Sequence, residues 1–90
     1  MFGLFKKKRS RSVLAAEVSA ITQEVLATHG LEVTVALDVP LGPEGLGLDS
    51  VGRLDLLAEV EKRCQLRIPE AYWGSQPLRD LNHLLDVAKG

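Results

Sequence analysis

The sequence contains very little cysteine and few aromatic residues, and both shortages restrict the folds and functions that are possible. Cys64 is the one cysteine among 90 residues, which excludes an intrachain disulfide and a zinc site built from several cysteines. A lone thiol fits a reducing compartment, so we expect a cytoplasmic protein. Phe, Trp and Tyr make up only 4% of the chain, so aliphatic residues must form the core, as is typical of a small helical bundle. No apolar run approaches the roughly 20 residues that a membrane-spanning helix requires.

Charge is distributed unevenly along the chain, although the formal net charge is only −1. Residues 1–11 carry five basic side chains and no acidic one, whereas residues 12–90 carry twelve acidic side chains against six basic ones. We therefore expect a basic, flexible N-terminal tail over residues 1–11 and one small folded domain over residues 12–90. The negative charge of the domain disfavours nucleic acid as a partner and favours basic protein surfaces.

Besides nucleic-acid binding, which the negative charge of the attached domain disfavours, the basic tail has two interpretations that the sequence leaves open. One is a solvated terminus, as chain ends usually are. The other is a weak contact with a membrane surface, in which Phe2, Leu4 and Phe5 enter the interface and the bases at positions 6–9 meet anionic headgroups.

Apolar residues at helical spacing predict an all-α fold. The first helix is expected to begin at a Ser12 cap and to stop at Gly30, a residue that suits the left-handed backbone common at helix ends. The pattern predicts a four-helix bundle of three long helices and one short helix, with a long loop between the first two helices. The expected helical segments are residues 12–29, 49–64, 70–73 and 77–88.

The long connection over residues 31–49 contains two prolines and three glycines, which break regular structure. Its apolar content nevertheless favours an ordered loop. The residues expected to anchor it are Val33, Val35, Leu37, Leu41 and Leu46.

The loop delivers Asp49 and Ser50 to the start of the second long helix. The plain interpretation is a helix cap, which contributes on the order of 1 kcal/mol. A cap alone requires neither the long ordered loop before it nor the glycines around it.

The segment Gly-Leu-Asp-Ser-Val at 47–51, with the apolar spacing that follows it, resembles the phosphopantetheine attachment region of acyl carrier proteins. The resemblance extends over about residues 12–88. It implies a chain that is not an enzyme, whose Ser50 hydroxyl is esterified by a transferase with 4′-phosphopantetheine from coenzyme A. The thiol of that arm would carry an acyl group as a thioester. The further residues that carry the resemblance are Leu54, Leu57, Val60, Glu61, Ile68, Pro69, Glu70, Leu81, Leu84 and Leu85.

The resemblance also implies roles for residues around Ser50. Asp49 would help present the serine to a phosphopantetheinyl transferase and its metal. Asp55 and Glu59 would supply negative charge for docking, and Val51 and Leu54 would supply apolar contacts. The partners implied are that transferase and acyl-loading, condensing or modifying enzymes, with the carrier itself a monomer.

The sequence departs from the family pattern on the second helix. Gly52 stands where an acidic residue is frequent, and Lys62 and Arg63 stand where acidic residues often continue. These departures point to dedicated partners in a specialised fatty-acid-like or polyketide-like pathway. A free-standing peptidyl or aminoacyl carrier remains an alternative, and so does a small helical nucleic-acid-binding module with a basic arm.

Several other residues are expected to be structural. Cys64 falls on the buried side of its helix and is interpreted as a core thiol. Tyr72 and Trp73 are expected to cover one end of the bundle with their polar atoms outward. Glu61 lies within the apolar arc of the second helix without an evident reason. His29 and His83 have no suitably spaced acidic partner, so we expect no metal site.

Overall fold

The computed structural model describes residues 10–74 and 76–89, and within them the fold is all-α. No strand is present in that part of the chain, although Arg67 and Lys89 form one isolated antiparallel bridge. None of the described helices is long and apolar enough to cross a membrane. Of the tail expected over residues 1–11, residues 1–9 lie outside the described residues. The elements in chain order are α1 (Arg11–Thr28), α2 (Ser50–Cys64), a 3-10 helix (Glu70–Trp73) and α3 (Leu81–Val87).

The cap of helix α1 lies two residues before the expected one. Ser10, not Ser12, is the N-cap, because its hydroxyl accepts a hydrogen bond from the backbone N–H of Val13 at 3.2 Å. Arg11, which the sequence assigns to the tail, is the first helical residue and pairs with Asp86 at 2.6 Å. The helix ends before Gly30, whose φ of +75° is the left-handed conformation that the sequence predicts there.

The connection between α1 and α2 is held by buried leucines and by backbone hydrogen bonds. Leu41, Leu46 and Leu48 are buried, and Leu48 is an anchor that the sequence did not single out. The N–H of Leu46 donates to the carbonyl of Pro40 at 2.8 Å, and the N–H of Leu48 donates to that of Leu41 at 2.9 Å. Further bonds join Leu37 and Leu41 to the segment before and within α3, so the connection is fastened to the rest of the fold.

The core lies where α1 packs against both α2 and α3. Its buried polar side chain, Thr22, is satisfied because its hydroxyl donates to the carbonyl of Val18 at 2.7 Å. Cys64 is buried in the same core, as the sequence predicts. The fully enclosed side chains include Val18, Leu26, Leu56, Val60, Leu81 and Leu84.

The last helix is much shorter than expected, so the prediction of a third long helix over residues 77–88 is wrong. Helix α3 begins only after Asp80, whose carboxylate accepts a hydrogen bond from the N–H of His83 at 2.8 Å. Leu78 is buried but lies outside the helix, so an apolar residue at this position indicates burial and does not indicate helix. Beyond α3 the chain extends, and Lys89 pairs with Arg67.

Replacing Gly45 with alanine should destabilise the fold, because an added Cβ would lie 2.0 Å from the carbonyl oxygen of Pro40. We expect a loss of about 2–4 kcal/mol in the free energy of unfolding, measured by urea denaturation. Gly42→Ala is the matched control, since its Cβ would meet only the flexible side chain of Glu44, at 3.1 Å. Equal stability of the Gly45→Ala variant and the parent would contradict this packing.

Candidate functional site

The start of α2 holds Asp49 and Ser50 at the surface. Leu48 is buried and Asp49 adopts extended backbone, so the chain turns outward immediately before the helix. The carboxylate of Asp49 caps the helix by accepting a hydrogen bond from the N–H of Gly52 at 2.8 Å. Ser50 is the first helical residue and is exposed, and within the described residues its hydroxyl makes no hydrogen bond. A primary hydroxyl is thereby offered to solvent at the positive end of the helix dipole.

Gly52, which stands where an acidic residue is frequent in the family pattern, is buried beneath Leu48. A Cβ at this position would lie 2.8 Å from Cδ2 of Leu48 and 3.3 Å from the capping oxygen of Asp49. The absence of a side chain therefore lets the last loop leucine pack over the first turn of the helix. Gly52 supports the site sterically, which the sequence pattern did not reveal.

A cavity of about 160 Å³ opens beside Ser50. Its walls come from the loop, from α2 and from the 3-10 helix, and most of them are apolar. Among the described residues that line the cavity, Arg53 is the one with a charged side chain. The apolar walls include Leu41, Leu54, Leu57, Trp73 and Leu78.

Trp73 forms one wall of this cavity and is fixed by its polar atom. Its indole N–H donates to the backbone carbonyl of Ile68 at 3.1 Å, in a partly buried position. The nitrogen therefore has a protein partner, which the sequence did not indicate. The neighbouring Tyr72 contacts the ring of His83 edge to face, with 5.3 Å between ring centroids.

Two acidic side chains on α2, Asp55 and Glu59, lie close to basic residues. Asp55 lies 2.8 Å from Nε2 of His29, and Glu59 lies 3.7 Å from the guanidinium of Arg63. Arg63 also makes two hydrogen bonds to Glu24 on α1, at 2.8 and 3.1 Å. These hydrogen bonds, with the charge of Arg63, lower the pKa of the Glu24 carboxyl below its ordinary value. The expected acidic face is therefore partly neutralised by its own neighbours.

Two apolar side chains next to Ser50 remain open to solvent. Val51 is 64% exposed and Leu54 is 42% exposed. Their role as contacts for a partner protein stays a prediction.

Glu61 has a structural partner that the sequence did not indicate. Its carboxylate accepts a hydrogen bond from the N–H of Ile68 at 2.7 Å and so supports the turn after α2. It also lines a second, larger and more open depression of about 610 Å³. Within the described part of the chain, no group of three or more His, Cys, Asp or Glu side chains is placed to hold a metal ion.

The residues around Ser50 fit a phosphopantetheine ester in their chemistry. The acceptor needed is an accessible hydroxyl, which Ser50 provides. The first N–H groups of a helix lack intrahelical partners and favour a neighbouring anion. Arg53 adds a cation one turn further along the helix, and the sequence interpretation assigned it no role.

Comparison with known proteins indicates a class of protein at the level of the family. A stretch of 58 residues is 38% identical to a protein of Streptomyces coelicolor named "Probable acyl carrier protein". The match covers 64% of this chain and 64% of the length of that relative. No family model matches the chain, and no solved structure matches it. The relative's name supports a carrier role at the level of the family.

Asp49→Ala should lower the free energy of unfolding by about 1 kcal/mol, because it removes the cap from the Gly52 N–H. Asp49→Asn should retain most of that stability, because an amide oxygen accepts the same hydrogen bond. Thermal or urea unfolding of the two variants makes the comparison. Equal losses in both would show that charge, and not the hydrogen bond, accounts for the contribution of Asp49.

Proposed function

We propose that this chain is an acyl carrier protein that holds acyl intermediates on a 4′-phosphopantetheine arm attached to Ser50. The observation that carries the proposal is the exposed hydroxyl of Ser50 at the first residue of α2, beside a mostly apolar cavity. The similarity to a protein named as a probable acyl carrier supports the same class. The chain itself would perform no catalysis.

The start of α2 suits an attachment point for physical reasons. The helix dipole and the free N–H groups of the first turn stabilise negative charge close to Ser50. The cap from Asp49 keeps that turn formed, so the hydroxyl has a fixed position for an incoming transferase. When bound, the arm supplies a thiol that carries the acyl group as a thioester. The side chain of Asp49 would also help present the serine.

The cavity beside Ser50 suits an apolar guest. The walls of the cavity come from the loop, from α2 and from the 3-10 helix, and they meet next to Ser50. An acyl group attached there could fold back against them. Removing apolar surface from water contributes roughly 25 cal/mol per Å². Sheltering of this kind would slow hydrolysis of a thioester by limiting the access of water.

Docking would use the surface of α2 near the attachment point. Val51 and Leu54 provide exposed apolar contact, and Asp55 and Glu59 provide negative charge. Their present partners are no obstacle, because an exposed ion pair contributes only about 0–1 kcal/mol. A basic patch on a partner could therefore replace His29 or Arg63 at little cost.

The partners would be a phosphopantetheinyl transferase and the acyl-loading, condensing or modifying enzymes of a specialised fatty-acid-like or polyketide-like pathway in the cytoplasm. A peptidyl or aminoacyl carrier would use the same serine and the same fold. The acidic residue before Ser50 and the acidic side chains of α2 favour an acyl cargo.

Incubation with coenzyme A and a broad-specificity phosphopantetheinyl transferase should add one phosphopantetheine to the chain, seen as a single step in intact mass. Ser50→Ala should abolish the gain completely because it removes the acceptor oxygen. Ser12→Ala is the matched control, since Ser12 is an exposed serine in the first turn of α1. An unchanged mass for the parent chain, or a mass gain that survives Ser50→Ala, would overturn the proposal.

Reversing the charge of both Asp55 and Glu59 to lysine should slow loading by the transferase roughly tenfold at low ionic strength, because charge steering governs the encounter rate. Added salt should narrow the difference by screening. The matched control is Glu32→Lys with Asp38→Lys, which changes net charge equally at exposed sites outside α2. Equal slowing in both double variants would mean that net charge, and not this surface, governs docking.

A further inference from the structure

Arg53 occupies a position that the proposed carrier role does not yet explain. It lies three residues after Ser50 on α2, is partly buried, and lines the same cavity. Arg11 and Arg63 each pair with a carboxylate, whereas Arg53 has no such partner among the described residues. A guanidinium at a mostly apolar wall is available to bind an anion that lies in the cavity.

The spacing places Arg53 and Ser50 on the same side of α2, where both line the cavity. Residues three apart on a helix are surface neighbours, with about 5–6 Å between their Cβ atoms. An arginine side chain is longer than that separation, and its planar guanidinium can donate two parallel hydrogen bonds to phosphate oxygens. A group esterified to Ser50 would place its phosphate within reach.

The charge on Asp49 favours a cation close to a phosphate on Ser50. Its carboxylate is held at the start of α2 by the bond to Gly52 and cannot move away without losing the cap. A phosphodiester on Ser50 would add a second negative charge beside it, and like charges repel. Arg53 is the cation that the cavity wall offers to offset this repulsion.

We propose that Arg53 binds the phosphodiester formed on Ser50 and directs the start of the arm along the cavity. The inference rests on the proposed carrier function and deepens it. Arg53 is a positioning residue, because it acts on the anchored end of the arm and not on the thioester.

The test compares unloaded and loaded forms of the full chain in the parent, Arg53→Gln, Arg53→Lys and Lys62→Gln. Lys62 is the matched control because it is an exposed base near the other end of α2. Loading should raise the midpoint of thermal unfolding of the parent by on the order of 2–5 °C more than that of Arg53→Gln. Arg53→Lys should keep part of this difference, Lys62→Gln should keep all of it, and high salt should reduce it. The ³¹P chemical shift of the phosphodiester should differ between parent and Arg53→Gln but not between parent and Lys62→Gln.

The outcomes separate this inference from the carrier function itself. If Arg53→Gln loads and gains as much stability as the parent, with the same ³¹P shift, the inference is wrong although the carrier function stands. Slower loading with an unchanged stability gain would place Arg53 in transferase recognition and would also overturn it. If the parent chain accepts no phosphopantetheine, both proposals fail together. Should Arg53→Gln not fold, Arg53→Lys supplies the same comparison, because an ammonium ion cannot form the two parallel bonds.

Discussion

The packing of Leu48 over Gly52 is the constraint on which the candidate site depends. Leu48 is buried, and the absence of a side chain at Gly52 lets it lie directly over the first turn of α2. Once Leu48 is fixed, the alternation of an extended chain carries Asp49 outward, where its carboxylate closes the turn through the Gly52 N–H. Ser50 then follows with its hydroxyl in solvent. A core contact and a helix cap together determine where the reactive oxygen lies.

The charged side chains around α2 form two separate groups, one around Arg63 and one around Ser50. Away from Ser50, Arg63 on α2 pairs with Glu24 on α1 and lies near Glu59, so exposed ion pairs offset part of the negative charge of the domain. Near Ser50, by contrast, the chain carries the acidic Asp49 directly before the serine and the basic Arg53 three residues after it. The first group suits partners that compete for weak exposed ion pairs, and the second suits an anion attached to the chain.

The sequence predicts the helical faces well because burial imposes a period that side chains must follow. It locates α2 to within a residue and predicts an Asp or Ser cap. It fails where local alternatives compete: Ser10 and Ser12 are equally good caps by composition, and Leu78 is apolar for burial without belonging to α3. It also fails where tertiary contacts decide. The hydrogen bonds of Glu61 and Trp73 to Ile68, and the burial of Gly52, depend on chain segments whose approach no periodicity encodes.

If the exposed oxygen at the first residue of α2 is the attachment point of a carrier arm, peptide mapping by mass spectrometry should locate the arm there. On protein purified from cells that also produce a phosphopantetheinyl transferase, we expect a phosphopantetheine fragment on the peptide that contains Ser50, with fragmentation placing it on that residue. A modification mapped to any other residue, or none under conditions that load an established carrier, would contradict it.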